Sequence, residues 1–343
     1  MKLLLTTQAV DRDDLFLGFF HGWIEELAKH FEHITVICLK EGSHSLPQNV
    51  TVLSLGKEHN TSRLIRVARF FRYVIAWRRE YDAVLVHQNE EYVILAGWLW
   101  GRWNKRVYMW RNHWAGNRRT DYAARWCDKI FCTSKFSYTM KYPKTVLMPV
   151  GVDTTLFMRM PEVSRDPRGV LFFARLAPSK RPDLLLEALA LLHKNKFPFA
   201  AHFYGTPLPK DEAYAAKLKE RTHQLGLDEV VRFYPGVPYA QAPQLFNAHI
   251  LYVDLSASGM YNKTLFEAAA CESMVLTASE DFASLVDDKF IYHEHGPQEL
   301  CEKIEKLLTL PLIKQQGAGA QLHNIAKQHS LEALGVRLAQ EIQ

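Results

Sequence analysis

Short apolar runs bounded by polar turns recur along the chain, at residues 2–6, 33–39, 49–53, 83–87, 106–110, 129–133 and 145–149. Each reads as a buried strand. Helical periodicity fills residues 62–79 and 92–100 between them. The pattern repeats after residue 169, with strands expected at 170–173, 200–204, 230–233, 249–253, 275–277 and 290–292. Helical segments separate these too, one over 184–192 and another from about 263 through 267, and residues 310–343 are helical throughout in pattern. Strand and helix alternating in two halves without mutual identity predict an α/β chain of two Rossmann-like doubly wound domains. A polar stretch with Pro161 and Pro167 and no apolar period reads as the linker.

Length supports that division, since 343 residues exceed one ordinary core and suit two. With 48% hydrophobic and 23% charged residues the chain is globular. No apolar run approaches the ~20 residues that span a bilayer, and the opening apolar stretch is too short for a secretory signal, so a cytoplasmic protein is expected. Five scattered cysteines, without metal spacing, read as reduced core thiols. The charge is uneven, because residues 1–160 hold 23 Lys and Arg against 15 Asp and Glu, whereas the remainder holds 19 against 22.

Much of that basic excess lies on residues 62–79, with Arg66, Arg69, Arg72 and Arg79 on one helical face and Leu64, Val67, Phe71 and Ile75 on another. Two readings stand: a surface helix with its apolar face on the sheet, or peripheral docking on the anionic inner membrane face. Nucleic acid is not expected, because the aromatics of WLWGRWNKRVYMWRNHW occupy positions that a core would use.

The candidate chemistry centres on residues 169–183, GVLFFARLAPSKRPD, a strand that breaks into a loop with Arg175 and Lys180 before a helix. Strand, basic loop and helix start form an anion-binding layout, although the same cations suit a solvated loop. A second segment, DLSASGMYNKTLFEAAACESMVLTA from 254 to 278, opens a helix near Lys263 and carries Glu267 inside it. A carboxylate there must be paired or bind something, and it could accept hydrogen bonds from two vicinal hydroxyls, as on a ribose. No GxGxxG follows the first strand, which argues against a dinucleotide-dependent dehydrogenase. Asp11, Asp13 and Asp14 in the loop at 7–14 read as helix-capping acids rather than a metal site. His113, just past a parallel strand, faces a ligand crevice by topology, and His87 ends the preceding strand.

In that order, FARLAPSKRPD, FYGTPLPK with Gly205, VRFYPGV ending at Val237, and SASGMYNKTLFEAAAC resemble the donor-domain motifs of family 4 glycosyltransferases, retaining enzymes of GT-B architecture. DLFLGFFHGWIEELAKHFEHITVI, VLVHQNEEYVILAG, VYMWRNHW and GVDTTLF resemble the acceptor-domain landmarks, so the resemblance covers nearly the whole chain. It implies two domains facing across a cleft: an acceptor domain at 1–158, a linker at 159–168, a nucleotide-sugar donor domain at 169–325, and a helix at 326–343 that crosses back to the first domain. It further implies Arg175 and Lys180 at the donor phosphates, Glu267 at the ribose, and His113 beside the sugar. Donor contacts are expected from Gly18, Gly205, Val237, Gly259, Met260, Tyr261, Asn262, Lys263 and Thr264. Gly18 has a second reading, close packing of helix on strand.

The pattern departs from the family at Gly259, where the first of two glutamates is usual, and at Glu272, where a glycine is common. Backbone amides of residues 260–263 are expected to replace the missing acid, with Lys263 a third phosphate-side cation. The expected reaction is transfer of a sugar, a hexosyl group by expectation, from a nucleotide-sugar donor to a glycan or lipid-linked acceptor, with retention and without a metal or other cofactor. A sugar-nucleotide epimerase or hydrolase, and a non-catalytic sugar-nucleotide binding protein, share these motifs. The first two would turn over without an acceptor, and the third would transfer nothing.

Overall fold

The computed structural model describes residues 1–259 and 262–343. They divide into two units, one of Met1–Gly151 with Leu331–Gln343, the other Val152–Ser330.

Unit 1 alternates strand and helix: β1 (Lys2–Val10), α1 (Phe19–Ala28), β2 (His33–Glu41), β3 (Val50–Ser54), α2 (Arg63–Ala76) and β4 (Ala83–His87). It continues through α3 (Glu90–Arg102), β5 (Arg106–Trp110), α4 (Arg118–Trp126), β6 (Lys129–Cys132) and β7 (Thr145–Leu147). All strands pair in parallel in the order β3-β2-β1-β4-β5-β6-β7. A parallel strand has helices over both faces, which is why Ala83–His87 is buried at every position. Its caps are local: the Ser62 side chain accepts from Ile65 N, and Asn117 and Thr120 form a capping box on α4. One sheet face carries α2, α3 and α4 through Phe70, Val74, Val93, Ala96, Trp100 and Ala123.

Unit 2 holds β8 (Asp166–Phe173), α5 (Pro182–Lys194), β9 (Ala200–Tyr204), α6 (Glu212–Gln224), β10 (Val231–Tyr234) and α7 (Ala242–Ala248). It continues with β11 (His249–Asp254), α8 (Lys263–Ala270), β12 (Met274–Thr277), α9 (Glu280–Ala283), α10 (Pro297–Leu308) and α11 (Leu312–Gln328). The sheet order is β10-β9-β8-β11-β12, again parallel. The last helix, α12 (Leu331–Ile342), belongs to unit 1 and covers α1 on the other sheet face, with Leu334, Leu338 and Ile342 buried beside Trp23 and Leu27.

Several expectations change. The division falls at Gly151 and Ser330 rather than at 158 and 325. The stretch 159–165 is docked on unit 2 rather than a free linker, because Arg165 donates to the carbonyls of Asn247, Cys271 and Glu272, at the carboxyl ends of α7 and α8. Cations satisfy orphan carbonyls there, and the buried Asn247 side chain also holds Arg159 and Met160 N. Residues 166–169 are already strand, and β1 runs to Val10, further than its apolar run, because Ala9 and Val10 pair with β2. In place of a strand at 290–292 there is a turn at Asp288–Phe290 and a single bridge from Ile291 to Thr277.

The apolar face assigned to α2 is not the buried one. Phe70 and Val74 are its buried residues, while Leu64 is 82% exposed and Ile75 45%. Nor do its arginines form one free face: Arg66 donates to Thr61 O at 2.8 Å and Arg69 to Leu55 O at 3.2 Å. The tryptophan-rich segment also splits, since Trp100 and Trp110 are core whereas Trp98 and Trp114 are exposed. All five cysteines are buried and free.

Candidate active site

In the unit 2 sheet, β8 and β11 are neighbours whose outgoing connections turn to opposite sides, the switch point outside which an open parallel sheet binds ligands. Two loops meet at these strand ends. The loop after β8 carries Arg175 and, in a turn at Pro178–Lys180, Lys180. The loop after β11 carries Ser256, Gly259 and Asn262. Lys180 Nζ donates to Ser256 Oγ at 3.0 Å and Asn262 Oδ1 at 3.1 Å, so the lysine joins both. Buried Asp254, the last residue of β11, fixes the acceptors: its carboxylate takes Ser256 N at 3.1 Å, Ser256 Oγ at 2.6 Å and Asn262 Nδ2 at 2.5 Å. Burial holds the Lys180 ammonium below its ordinary value, with Asp254 opposing the shift and Arg175 adding to it.

A second charged group sits in the first turns of α8. Glu267 is buried, with Lys263 Nζ 3.7 Å from its Oε1 and the Tyr239 hydroxyl bonded to it. Lys263 also donates to Tyr239 Oη at 3.0 Å and lies 5.0 Å from that ring's centroid. Burial pushes the Glu267 carboxyl up, against the pull of Lys263, and pushes Lys263 down to about 8, against Glu267 and Asp153. Thus Lys263 points its ammonium at Glu267 and Tyr239 in this structure, and Glu267 is paired. The next residue, Thr264, accepts from Tyr252 Oη at 2.8 Å, tying α8 to β11.

Two glycines are dictated by this geometry. Gly205, just past β9, touches the β8 loop so closely that a Cβ there would lie 1.9 Å from Ala174 O. Gly259 has φ +90°, a backbone that L side chains rarely adopt, and donates to buried Asp281 at 3.2 Å. Val237 is half-buried in the loop after β10. Met260 and Tyr261, named as donor contacts, lie outside the described residues.

Unit 1 holds the remaining candidates. His113 follows β5, and its Nδ1 is held by the backbone of Ala115, 2.9 Å from the N–H and 3.2 Å from the carbonyl oxygen. Burial lowers the imidazole's affinity for a second proton, so the ring is neutral. Among the described residues Nε2 has no hydrogen-bond partner. His87 is structural: buried, stacked 4.0 Å from Phe20, and 3.3 Å from Thr7 Oγ1. A Cβ on Gly18 would lie 2.7 Å from the carbonyl oxygens of Arg12 and Asp14, so close packing of the preceding loop explains it. Asp14 caps the same turn, accepting from Phe16 N and Leu17 N, and Asp11 and Asp14 both face Lys40.

The structure therefore joins Lys180, Asn262 and Arg175's loop at one switch point, and Lys263 with Glu267 on α8. Asp254, Ser256 and Tyr239, which hold these groups, were missed by sequence reading. An acid ending the apolar run HILYV was the available signal for Asp254.

Known proteins resemble this chain in sequence and in fold. Over 149 residues the chain is 28% identical to a D-inositol 3-phosphate glycosyltransferase of Kineococcus radiotolerans, covering 40% of this chain and 34% of that protein. Over 219 residues it is 26% identical to the enzyme of that name from Thermobispora bispora, covering 57% and 49%. The chain thus spans less than half the length of these relatives. Among solved structures, HepE of Anabaena in complex with UDP and glucose matches with a TM-score of 0.78 at 19% identity, over 100% of this chain and 99% of that one. Sucrose-phosphate synthase of Thermosynechococcus elongatus matches at 0.78 and 14%, over 99% and 98%. These two likenesses are of fold, two parallel-sheet Rossmann-like domains of GT-B type. Residues 156–328, half of the chain and the part that carries Arg175, Lys180 and Glu267, match the glycosyl transferases group 1, and the chain belongs to that family.

Proposed function

We propose that this protein transfers a sugar from a nucleotide-sugar donor to a glycan or lipid-linked acceptor, with retention of anomeric configuration. The observation that carries the reading is Lys180, half-buried at the switch point of the unit 2 sheet beside the loop that opens α8. An ammonium in so confined a place, with Arg175 near enough to oppose its charge, suits a diphosphate. Cleavage of the donor gathers negative charge on the leaving phosphate oxygens, and Lys180 and Arg175 stabilise it there. The backbone N–H groups at the start of α8 add their share.

Glu267 is assigned to the ribose hydroxyls, which its buried carboxylate would accept in exchange for part of its contact with Tyr239. His113 is assigned to the sugar, which it would meet through Nε2. The departing phosphate takes the acceptor's proton on the face it leaves, so no nucleophilic carboxylate is required. In this reading the two cations do the work given elsewhere to a metal, so activity should persist in chelator. Peripheral contact with an anionic membrane belongs to the same reading. In the described residues no helix is long and apolar enough to cross a membrane.

The test begins with thermal shift against nucleoside diphosphates and their sugars. Uridine compounds come first, because a structural neighbour was solved with UDP and glucose. A ligand at 100 times its dissociation constant raises stability by about 2.7 kcal/mol. The stabilising donor is then incubated with and without acceptors. Sugar release independent of any acceptor would make the protein a hydrolase, and no stabilisation by any nucleotide sugar would remove the donor assignment.

A further inference from the structure

Helices α2, α3 and α4 lie side by side on one face of the unit 1 sheet, where their inner residues share a single core. Phe70 of α2 meets Tyr92 and Trp100 of α3, and Trp126 of α4 packs over Gly97 and Gly101 of α3. Their outer sides therefore form one continuous surface. Two features of it are unlike an ordinary solvated layer.

The first is charge. Residues 63–79, 90–102 and 118–126 contain ten arginines, no lysine and three acids. The acids are engaged: Glu90 is buried against Arg111, Glu91 pairs with Arg119, and Asp121 holds Lys141. Arg72, Arg79, Arg102, Arg118 and Arg125 are exposed and make no ion pair among the described residues.

The second is exposed apolar area at the same positions. On α2, Ile65, Ala68, Arg72 and Ile75 recur at helical spacing and all face outward, flanked by Leu64. Trp98, Tyr122 and Trp126 continue the surface across α3 and α4, and Trp98 is 51% exposed. Its indole N–H donates to Leu95 O at 3.0 Å within its own helix, so the ring needs no water and can leave it without an unmet donor. Leucine, isoleucine and an internally satisfied tryptophan among unpaired arginines match a bilayer interface, where Arg holds phosphate headgroups while its stem and the apolar neighbours enter the acyl boundary.

We propose that the outer surface of the α2–α3–α4 layer docks on an anionic bilayer, with Leu64, Ile65, Ile75 and Trp98 inserted shallowly among lipids held by Arg72, Arg79, Arg102 and Arg125. This deepens the membrane contact proposed above and rests on the transferase reading only for the acceptor's nature. Docking is measured with lipid alone, so it stands or falls apart from turnover.

The experiment is flotation of the full chain with phosphatidylcholine vesicles, with and without phosphatidylglycerol, at low salt and at about 1 M salt, where the Debye length is ~3 Å. The parent should float with anionic vesicles at low salt. A variant with Arg72, Arg79, Arg102 and Arg125 changed to Gln should bind on the order of 100- to 1,000-fold more weakly, since each surface cation contributes about 5-fold. High salt should leave the parent a remnant of binding that the Leu64→Ser, Ile75→Ser, Trp98→Ser variant lacks. A control with Lys194, Lys217 and Lys219 of unit 2 changed to Gln should float like the parent. Should a multiple variant fail to fold, Trp98→Phe carries the test alone: acyl-brominated phosphatidylglycerol should quench the parent's fluorescence and quench this variant less. No flotation with anionic vesicles, a charge variant that floats like the parent, or identical quenching in Trp98→Phe overturns the proposal. So does a dimer dispersed by the apolar variant in a protein that ignores vesicles, which would make the surface an interface between copies.

Discussion

Lys180 holds two loops together and, in the proposed reaction, meets the charge that develops on the leaving phosphate, so its removal separates structure from catalysis. Ser256 and Asn262 keep Asp254 as partner when the lysine is lost, and Lys180→Ala should therefore keep its fold. Its turnover should fall by two to three decades, about 2.7–4 kcal/mol, read as kcat/KM with the thermal midpoint as control. Near-normal turnover would remove the phosphate assignment. Glu267→Gln should weaken nucleoside diphosphate binding by roughly 10-fold or more, the size of a hydrogen bond to a charged group, whereas His113→Ala should lower turnover and leave that affinity alone. Calorimetry of both variants decides between them. His87 gives a pH test without substrate. Burial keeps its imidazole neutral down to about 3, while the unfolded chain protonates near 6.5. The unfolded state thus binds the extra proton between those values, and stability is lost as pH falls through that window. Between pH 7 and 5 this amounts to about 2 kcal/mol. Urea titrations at the two pH values should show His87→Phe losing less by that margin.

Among elements, the contact between the loops after β8 and β9 makes the sharpest demand. A Cβ on Gly205 would meet backbone, which cannot rotate away as a side chain can. Gly205→Ala should displace the loop of Arg175 and Lys180 and weaken nucleotide binding more than it lowers the thermal midpoint; unchanged affinity would show that the loop has room to shift. The strands of both sheets were legible in the sequence because fully buried parallel strands are uninterrupted apolar runs, as in AVLVH and HILYVD. Lys180, Lys263 and Glu267 were legible as charges set into apolar or loop patterns. What organises them was not. Tyr239 reaches Lys263 from 24 residues away, and Ser256 reaches Lys180 across 76, and no local periodicity records a partner that distant. The outer side of α2 was misread for a related reason: Leu64, Val67, Phe71 and Ile75 form a stripe by spacing, but the sheet takes Phe70 and Val74. Propensity marks a helix, and tertiary packing chooses its buried side.

For the whole molecule, the assignment of α12 to unit 1 is the organising fact. Leu334, Leu338 and Ile342 are buried there, Tyr108 Oη donates to Ile342 O, and Lys129 pairs with Glu341. Three apolar side chains at about 1.5–3 kcal/mol each are a large part of the 5–15 kcal/mol that stabilises a domain. Deleting residues 331–343 should lower or abolish the unfolding transition of unit 1 in calorimetry, and an unaltered scan would contradict the packing described. Because residues from both sides of unit 2 in the chain build unit 1, synthesis meets the two in an unusual order. A nascent chain with residue 330 clear of the ribosome already has every residue of unit 2, while Trp23 and Leu27 still wait for their cover. At ~5–20 residues per second the intervening stretch Val152–Ser330 takes on the order of 10–40 s to make, an interval in which the uncovered helix is open to a chaperone. Pulse proteolysis of stalled chains should find unit 2 protected first, and the unit that was begun earliest finished last.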